Sequence, residues 1–389
     1  MKNKSLIFIL LLTIFSSLTF NMAHPVTPML IKSLGLPSFM FGLFFAVMSI
    51  GNFIGSPLFG TLSDNKGRIK FLILGALGYG ISQLGFGYNT NPLIILIFRF
   101  TGGFFVVSYL TTSMAYITDL TSKETRIKYI TFYAAANTIG SSLGSLLGGV
   151  IGNSNYKTTF LIQFIFCITL GLLVYFLLDE TISPNNKKIS FNLRNNRSNK
   201  KIITSDLIVI FIVIIMFYFT STSYNSTVNY YIEDVLNLSS TFIGAFLAIS
   251  GLAGFIVNLV FTPLLTKYFK EITVFKAVTL ALSLALILMV TSSNTLLFLS
   301  SAILFASIAT IHIPLQQTIV TKLAHGNYGS LMGILNSCKA TGMVFGSLLS
   351  GFIFDFGNKL PFIISTIIIG SGFFILMFSS IRVKSPLTD

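Results

Sequence analysis

The sequence predicts an all-α membrane protein with twelve transmembrane helices in two related halves. Of its 389 residues, 53% are hydrophobic and 9% are charged, whereas a soluble domain carries about 25% charged residues. Apolar stretches of about 20 residues, the length that crosses a bilayer, recur twelve times along the chain. Residue patterns of the first half also return about 200 residues later in the second half.

The twelve stretches are predicted to be helices, because backbone polar groups inside a bilayer must be satisfied within their own segment. The strands of a β-barrel would alternate between polar and apolar residues, and these long runs do not. The predicted spans are 6–31, 39–62, 70–88, 92–117, 129–152, 157–178, 204–232, 241–265, 272–291, 295–320, 328–354 and 360–380.

The first span begins like a secretory signal, with Lys2 and Lys4 followed by apolar residues. No small-x-small cleavage pattern follows closely, and the apolar run continues to His24 and Pro25. We therefore interpret this stretch as the first membrane helix, uncleaved. Its prolines, at positions 25 and 28, are expected to loosen the helix.

Positive charge is concentrated in the loops that this topology places on the cytoplasmic side. With the N-terminus inside, only Lys32, Lys157 and Lys359 fall on outer segments, and only Arg99 and Lys339 lie within spans. The other twenty of the 25 lysines and arginines lie on cytoplasmic segments. This bias predicts a multi-pass protein of the cell membrane with both termini cytoplasmic. It also accounts for the net charge of +14 without a nucleic-acid partner.

The sequence offers no constellation that is typical of an enzyme. Cys167 and Cys338 lie in apolar spans of different halves, so they form neither a disulfide framework nor a metal-binding spacing. The loops lack a Ser/His/Asp, metal or phosphate-binding arrangement. We therefore predict a protein that is not an enzyme and has no cofactor.

The loop between spans two and three, residues 60–70, packs one acid and three cations into eleven residues. Gly60 lacks a side chain and is expected to let another helix approach closely at the membrane exit. Gly67 permits the backbone geometry of a very tight turn. Asp64 is free to pair with Arg68 or to sit near the N-terminus of a neighbouring helix.

This loop resembles the signature loop of the major facilitator superfamily. The matching residues are Gly60, Leu62, Asp64, Gly67 and Arg68. The family often has a basic residue directly after the aspartate, where this chain carries an asparagine. The resemblance covers essentially the whole chain, and the overall layout is similar to that of twelve-helix drug–proton antiporters. It implies two six-helix pseudo-symmetric bundles around a central cavity, with the loop acting in conformational change.

The two bundles are predicted to cover residues 1–178 and 204–389, joined by a cytoplasmic linker at 179–203. The linker is polar and cationic, whereas the other loops are short. We interpret it as a tether that fixes topology, with contact to the anionic inner leaflet as the alternative.

Glycines at a spacing of four mark spans five and eleven and are expected to let helices cross closely. They are Gly140, Gly144, Gly148 and Gly149 in span five, and Gly342 and Gly346 in span eleven, at an offset of 202. Drug–proton antiporters of the superfamily carry a proline after the second glycine of span five. This chain has Ser145 there, which leaves the direction of transport open.

Span four contains Arg99, and a charge inside a span normally faces a cavity or a partner. The resemblance assigns it to the superfamily's span-four arginine, which implies a part in proton coupling. The alternative is an arginine that hydrogen-bonds helix backbones. None of the eleven acidic residues lies near the middle of a span. Proton binding is therefore expected to use His24, His312 or a peripheral acid.

A carrier of this kind binds its cargo near the midplane, where polar or aromatic residues within spans are the candidate ligands. The predicted cavity residues are Asn21, Asn137, Tyr218, Tyr224, His312, Gln316, Asn336 and Lys339. Each has an alternative role in bonding its own helix or in joining helices. Lys339 indicates either a cargo that bears an acid or a lysine held by water, Asn336 or Ser337.

Together these patterns predict a secondary transporter: a proton-coupled exporter of small organic molecules, including drugs, that functions as a monomer in the bilayer. One alternative is a carrier for an anionic or zwitterionic metabolite. Another is a transporter-like sensor, which would need a signalling domain, and the loops are too short for one.

Overall fold

A computed structural model of the protein describes residues 2–182, 204–323 and 328–379, and this part of the chain contains helices and no β-strand. The helices are α1 (Lys2–Asn21), α2 (Thr27–Ser33), α3 (Met40–Lys66), α4 (Arg68–Tyr88), α5 (Pro92–Leu120), α6 (Lys123–Gly152), α7 (Tyr156–Leu177), α8 (Ser205–Asp234), α9 (Ser240–Tyr268), α10 (Glu271–Thr291), α11 (Thr295–Leu323), α12 (Tyr328–Phe354) and α13 (Leu360–Phe378).

Twelve segments of the described chain are long and apolar enough to cross a membrane, which confirms the predicted number of spans. The first differs from a single helix over 6–31. It consists of α1, a 3₁₀ turn at His24–Val26, and α2. Pro25 lacks an N–H group and interrupts α1, whereas Pro28 fits the first turn of α2.

Asparagines open three helices by the same local device. Asn91 precedes Pro92, and its side chain accepts a hydrogen bond from the backbone N–H of Leu93 at 2.9 Å. Asn155 caps α7 and Asn294 caps α11 through the same bond to the residue two positions later. Such a cap satisfies a helix N–H group that has no intrahelical partner, so each of these helices begins directly after its asparagine.

The chain divides into two compact units. The first contains residues 1–190 together with 229–252, and the second contains residues 191–228 together with 253–389. Both α8 and α9 therefore contribute residues to each unit. Most of the predicted linker at 179–203 lies outside the described residues, and the division into halves at that linker stays a prediction.

In the first unit, α6 lies directly against α1. A Cβ atom on Gly144 would lie 2.0 Å from the carbonyl oxygen of Leu18, and one on Gly148 would lie 2.0 Å from that of Met22. Gly140 meets the carbonyl oxygen of Ile14 in the same way, at 2.3 Å. The backbones approach so closely that only glycine fits at these positions.

In the second unit, α12 lies against α8 through the equivalent glycines. A Cβ atom on Gly342 would lie 2.5 Å from the carbonyl oxygen of Ile215, and one on Gly346 would lie 2.2 Å from that of Phe219. The sequence repeat at an offset of 202 therefore corresponds to the same type of helix crossing in each unit.

Candidate functional site

A network of hydrogen bonds around Arg68 joins the end of α3 to the end of α5. The Arg68 side chain is 6% exposed, and its Nη1 lies 2.5 Å from Asp64 Oδ1. Nη1 also donates to Ser63 Oγ at 2.9 Å, and Nε donates to Asp119 Oδ2 at 2.9 Å. Two carboxylates and a hydroxyl thus compensate a buried guanidinium, which is the condition for burying a charge.

Glu180, just after α7, caps the N-terminus of α4. Its carboxylate accepts hydrogen bonds from the backbone N–H of Arg68 at 2.7 Å and of Ile69 at 3.1 Å. Gly67 has a φ of +100°, and a Cβ atom there would lie 2.5 Å from Glu180 Oε2. Glycine is therefore favoured at position 67 by its backbone conformation, and a side chain there would also displace the capping carboxylate.

The sequence analysis missed Asp119 and Glu180 as partners of this loop. Both acids lie at predicted cytoplasmic ends of spans, on the same side as the cationic loop. Their position and charge were the signal that could have identified them as its partners. Thr181 Oγ1 donates to the same Asp119 oxygen at 3.0 Å, which joins the segment after α7 to this network.

The close helix approach expected at Gly60 is not seen among the described residues. A Cβ atom on Gly60 would meet none of their atoms within 4 Å. Leu62 is half-buried in the last turns of α3. The sequence also predicts that Asp64 lies near the start of span eleven, at residues 328–329, and the side chains at 328–330 lie outside the described residues.

Arg99 is enclosed within the first unit. It is 2% exposed, and its guanidinium lies over the Phe86 ring at 4.5 Å from the centroid. Its Nε and Nη2 atoms have no hydrogen-bond partner among the described residues. A cation–π contact compensates only part of the cost of a buried charge, so Arg99 is a cation with unused donors.

Three buried polar side chains of the first unit lie against the last turn of α1. Tyr79 Oη donates to the carbonyl oxygen of Phe20 at 2.9 Å, and Gln163 Nε2 donates to that of Thr19 at 2.7 Å. Gln83 Nε2 in turn donates to Tyr79 Oη. Because α1 stops at Asn21, its last carbonyls lack intrahelical partners, and these side chains satisfy them.

The sequence analysis did not single out this group either. A signal was present, since Gln83 and Gln163 are the two glutamines before residue 190 and both fall within predicted spans.

Two of the predicted cavity residues meet at the crossing of α1 and α6. Asn21 Nδ2 donates to the carbonyl oxygen of Ser17 at 2.8 Å, and Asn137 Oδ1 accepts from Ser17 Oγ at 2.8 Å. The half-buried His24 stacks on Phe45 with ring centroids 5.9 Å apart. Asn21 therefore bonds its own helix, and Asn137 bonds the neighbouring one.

In the second unit, Lys339, Tyr218 and Gln316 form a polar group on three helices. Lys339 Nζ lies 5.6 Å from the centroid of the Tyr218 ring, and Gln316 Nε2 donates to Tyr218 Oη at 3.2 Å. Gln316 Oε1 is buried without a partner among the described residues. None of the ion pairs found in the described chain involves Lys339, so the half-buried ammonium is not neutralised by a carboxylate there.

The other predicted cavity residues of the second unit differ in their surroundings. His312 is fully buried between Phe217 and Phe275, with centroids 3.8 and 4.4 Å from its ring. Tyr224 is buried and donates to the carbonyl oxygen of Ala302 at 2.9 Å, which is the helix-joining alternative. Asn336 is exposed on α12.

Residues 229–252, at the predicted outer ends of α8 and α9, pack against the other helices of the first unit. A Cβ atom on Gly149 would lie 2.4 Å from the carbonyl oxygen of Ser240. One on Gly244 would lie 2.5 Å from the carbonyl oxygen of Ser145. α6 and α9 therefore cross in backbone contact.

A second group of side chains reinforces this packing. Tyr230 stacks on Phe41 with ring centroids 4.9 Å apart. Lys32 Nζ lies 3.4 Å from Asp234 Oδ1 and donates to the backbone carbonyl of Glu233 at 3.1 Å. We call the packing of residues 229–252 on α2, α3 and α6 the outer contact.

The chain resembles known proteins along nearly its whole length. The family model of the Major Facilitator Superfamily matches residues 9–347 and, in a second match, residues 210–388. "Multidrug resistance protein 1" of Bacillus subtilis (strain 168) is 24% identical over 376 residues, which cover 96% of each protein. "Quinolone resistance protein NorA" of Staphylococcus aureus (strain COL) is 23% identical over 364 residues, which cover 91% of each protein.

Among solved structures, a D-xylose-proton symporter superposes with a TM-score of 0.73 at 16% sequence identity. The match covers 95% of this chain and 96% of that one. At this level of identity the likeness shows the shared fold.

Proposed function

The chain belongs to the major facilitator superfamily, and from this premise we propose that it is a proton-coupled exporter of small organic molecules, including drugs. The observation that carries the proposal is its similarity, along nearly the whole chain, to proteins named for multidrug and quinolone resistance. The chain is a multi-pass membrane transporter. We propose further that it works as a monomer in the plasma membrane, with both termini in the cytoplasm.

The charges of the described spans bear on the cargo. In the second unit, the half-buried Lys339 has no carboxylate partner among the described residues. A cation in this environment attracts cargo that carries a negative group, whereas a simple organic cation gains nothing from it.

The experiment uses inverted membrane vesicles under an imposed pH gradient, with cationic, zwitterionic and anionic compounds. We expect uptake into the vesicles when their interior is acidic, and loss of uptake when a protonophore collapses the gradient. Uptake that is unaffected by the protonophore would contradict proton coupling. A well-folded protein that moves no compound in either direction would contradict export and favour the sensor alternative.

A carrier for anionic or zwitterionic cargo is the second candidate, and Lys339 is the observation that favours it. The aromatic face of Tyr218 holds the ammonium, and no carboxylate of the described chain pairs with it. A cargo carboxylate would therefore meet an available cation, and its apolar part would meet the Tyr218 ring.

Lys339→Gln tests this candidate. We expect transport of carboxylate-bearing compounds to fall about tenfold or more, as expected for loss of a charged hydrogen bond of ~1.5–3 kcal/mol, while transport of simple cations is retained. Lys157→Gln is the matched control, because Lys157 also lies near a tyrosine ring, at 5.8 Å from Tyr88, at the start of α7. If Lys339→Gln transports each compound class as fast as the parent protein does, Lys339 has a structural role.

A further inference from the structure

The outer contact buries a carboxylate whose charge is not compensated. Glu233 lies in the last turn of α8, and its Oε2 atom is buried with no hydrogen-bond partner among the described residues. The flanking residues Tyr231 and Ile232 are buried as well, at 5% and 0% exposure. Glu233 itself is half-buried and its neighbour Asp234 is exposed, so the packing of the first unit covers one side of this turn.

The nearest cation is already engaged by other groups. Lys32 lies at the end of α2, and its ammonium forms the ion pair with Asp234 and donates to the backbone carbonyl of Glu233. Lys32 and Asp234 are the charged groups of the described chain whose fields reach Glu233. They have opposite signs and are paired with each other, so Asp234 offsets part of the effect of Lys32 at Glu233.

We propose that Glu233 is a proton-binding site that holds the outer contact closed when it is protonated. The bound species is a single proton on the carboxylate, taken from the outer solution while the contact is open. This inference goes beyond the proposed function, because it requires only that the outer contact opens and closes during the cycle. It does not depend on which compounds are transported.

The physical link is the cost of burying charge. An ionised carboxylate that loses water without gaining hydrogen bonds is costly, whereas the neutral acid loses much less. Closing the contact removes the Oε2 side of the Glu233 carboxylate from water, so the closed contact binds the proton more tightly than the open one does. By linkage, the proton must then stabilise the closed contact. The contact is strongest at low pH and weakens as the pH rises through the range in which Glu233 ionises.

Two other features of the outer contact involve neither a carboxylate nor an imidazole. The crossing of Gly149 and Gly244 is backbone packing, and the stacked rings of Phe41 and Tyr230 are apolar contact. A pH response of the outer contact therefore points to Glu233.

The test measures the outer contact directly, without transport. Spin labels are placed at Asn153→Cys and Ser239→Cys, both exposed positions in the first unit, after the native cysteines 167 and 338 are replaced by alanine. The full chain is reconstituted in lipid nanodiscs, and the distance between the labels is measured from pH 5 to pH 8.5, by dipolar broadening of the continuous-wave spectrum for short distances and by double electron–electron resonance for longer ones. We expect a short distance at low pH and a growing population at longer distance as the pH rises.

Glu233→Gln keeps the shape of the neutral acid, so we expect the short distance at every pH. Asp234→Asn is the matched control, since it removes the ion pair with Lys32 and leaves Glu233 in place. It should keep a pH dependence but move it to lower pH, because Asp234 no longer offsets the charge of Lys32 at Glu233. If Glu233→Gln is poorly folded, Glu233→Met serves as a second neutral variant of similar length.

The proposal is overturned if both neutral variants keep the pH dependence of the parent, or if the parent shows none. These outcomes are distinct from failure of the proposed function. A protein that transports no drug can still show a Glu233-dependent distance change, and a drug exporter can lack one.

Discussion

At the scale of single residues, the protein buries two arginines in different ways. Arg68 has two carboxylates and a hydroxyl as partners, whereas Arg99 has an aromatic ring and two unused donor atoms. The first arrangement stabilises the fold, and removing the arginine would leave two acids without their partner. Removing Arg99 would leave no acid of the described chain without a partner, so this arrangement indicates an arginine with a role other than stability.

This contrast predicts opposite outcomes for two alanine variants. Arg68→Ala should destabilise the folded protein by about 1–3 kcal/mol, a range reduced because Asp64 is 62% exposed and keeps its water. Arg99→Ala should leave stability within ~1 kcal/mol of the parent, since the cost of burying its charge offsets the lost ring contact.

The measurements are thermal unfolding in detergent and transport in reconstituted vesicles. Arg99→Ala is expected to lose gradient-driven transport more than facilitated exchange, because a nearby cation tunes any proton-binding group. Equal loss of both activities, together with a fall in stability, would assign Arg99 a folding role.

At the scale of helices, the sequence predicted the number of membrane spans, whereas it did not predict most side-chain contacts. Span lengths follow from bilayer thickness, so twelve spans could be read from apolar runs alone. The break at Asn21 was expected only as a loosening, because proline fixes where a helix is weakened but not whether a 3₁₀ turn replaces it. Glycine spacing predicted the close crossings of α6, whereas a Cβ atom on Gly60 would meet no atom within 4 Å among the described residues.

Glycine substitutions at these helices should therefore separate two cases. Gly144→Ala would place a Cβ atom 2.0 Å from the Leu18 carbonyl oxygen. This oxygen belongs to the backbone and cannot move away as a flexible side chain can. We expect a loss of ~1–3 kcal/mol or more from overpacking, seen as a lower unfolding temperature. Gly60→Ala meets open space and should unfold at the parent's temperature or slightly above it, since alanine favours helix.

Gly346→Ala extends the same comparison to the second unit, where the Cβ atom would lie 2.2 Å from the Phe219 carbonyl oxygen. It should resemble Gly144→Ala. If Gly144→Ala were as stable as Gly60→Ala, the crossing of α1 and α6 would not be as close as described.

At the scale of the whole molecule, a short loop that can be recognised in the sequence alone indicates the family. The contacts that give the loop its structure come from Asp119 and Glu180, which are 51 and 112 residues beyond Arg68. A sequence without aligned relatives does not show which distant acid meets which cation. The same holds for Glu233, whose burial depends on helices from the other end of the chain.

The role of the loop in the transport cycle is best tested at Asp64. Arg68 retains Asp119 and Ser63 when Asp64 is changed, and Asp64 is largely exposed, so Asp64→Asn should alter stability by less than ~1 kcal/mol. We predict that it nevertheless cuts transport and increases labelling of engineered cysteines from the cytoplasmic side. The reason is that the loop is expected to act in closing the cytoplasmic side. We expect this closing to depend on the charge of Asp64, whereas the stability of the fold does not.

Asp119→Asn is the control, because it weakens the bonds to both Arg68 and Thr181 and should lower the unfolding temperature. Normal transport by Asp64→Asn would reduce the loop to an anchor for topology.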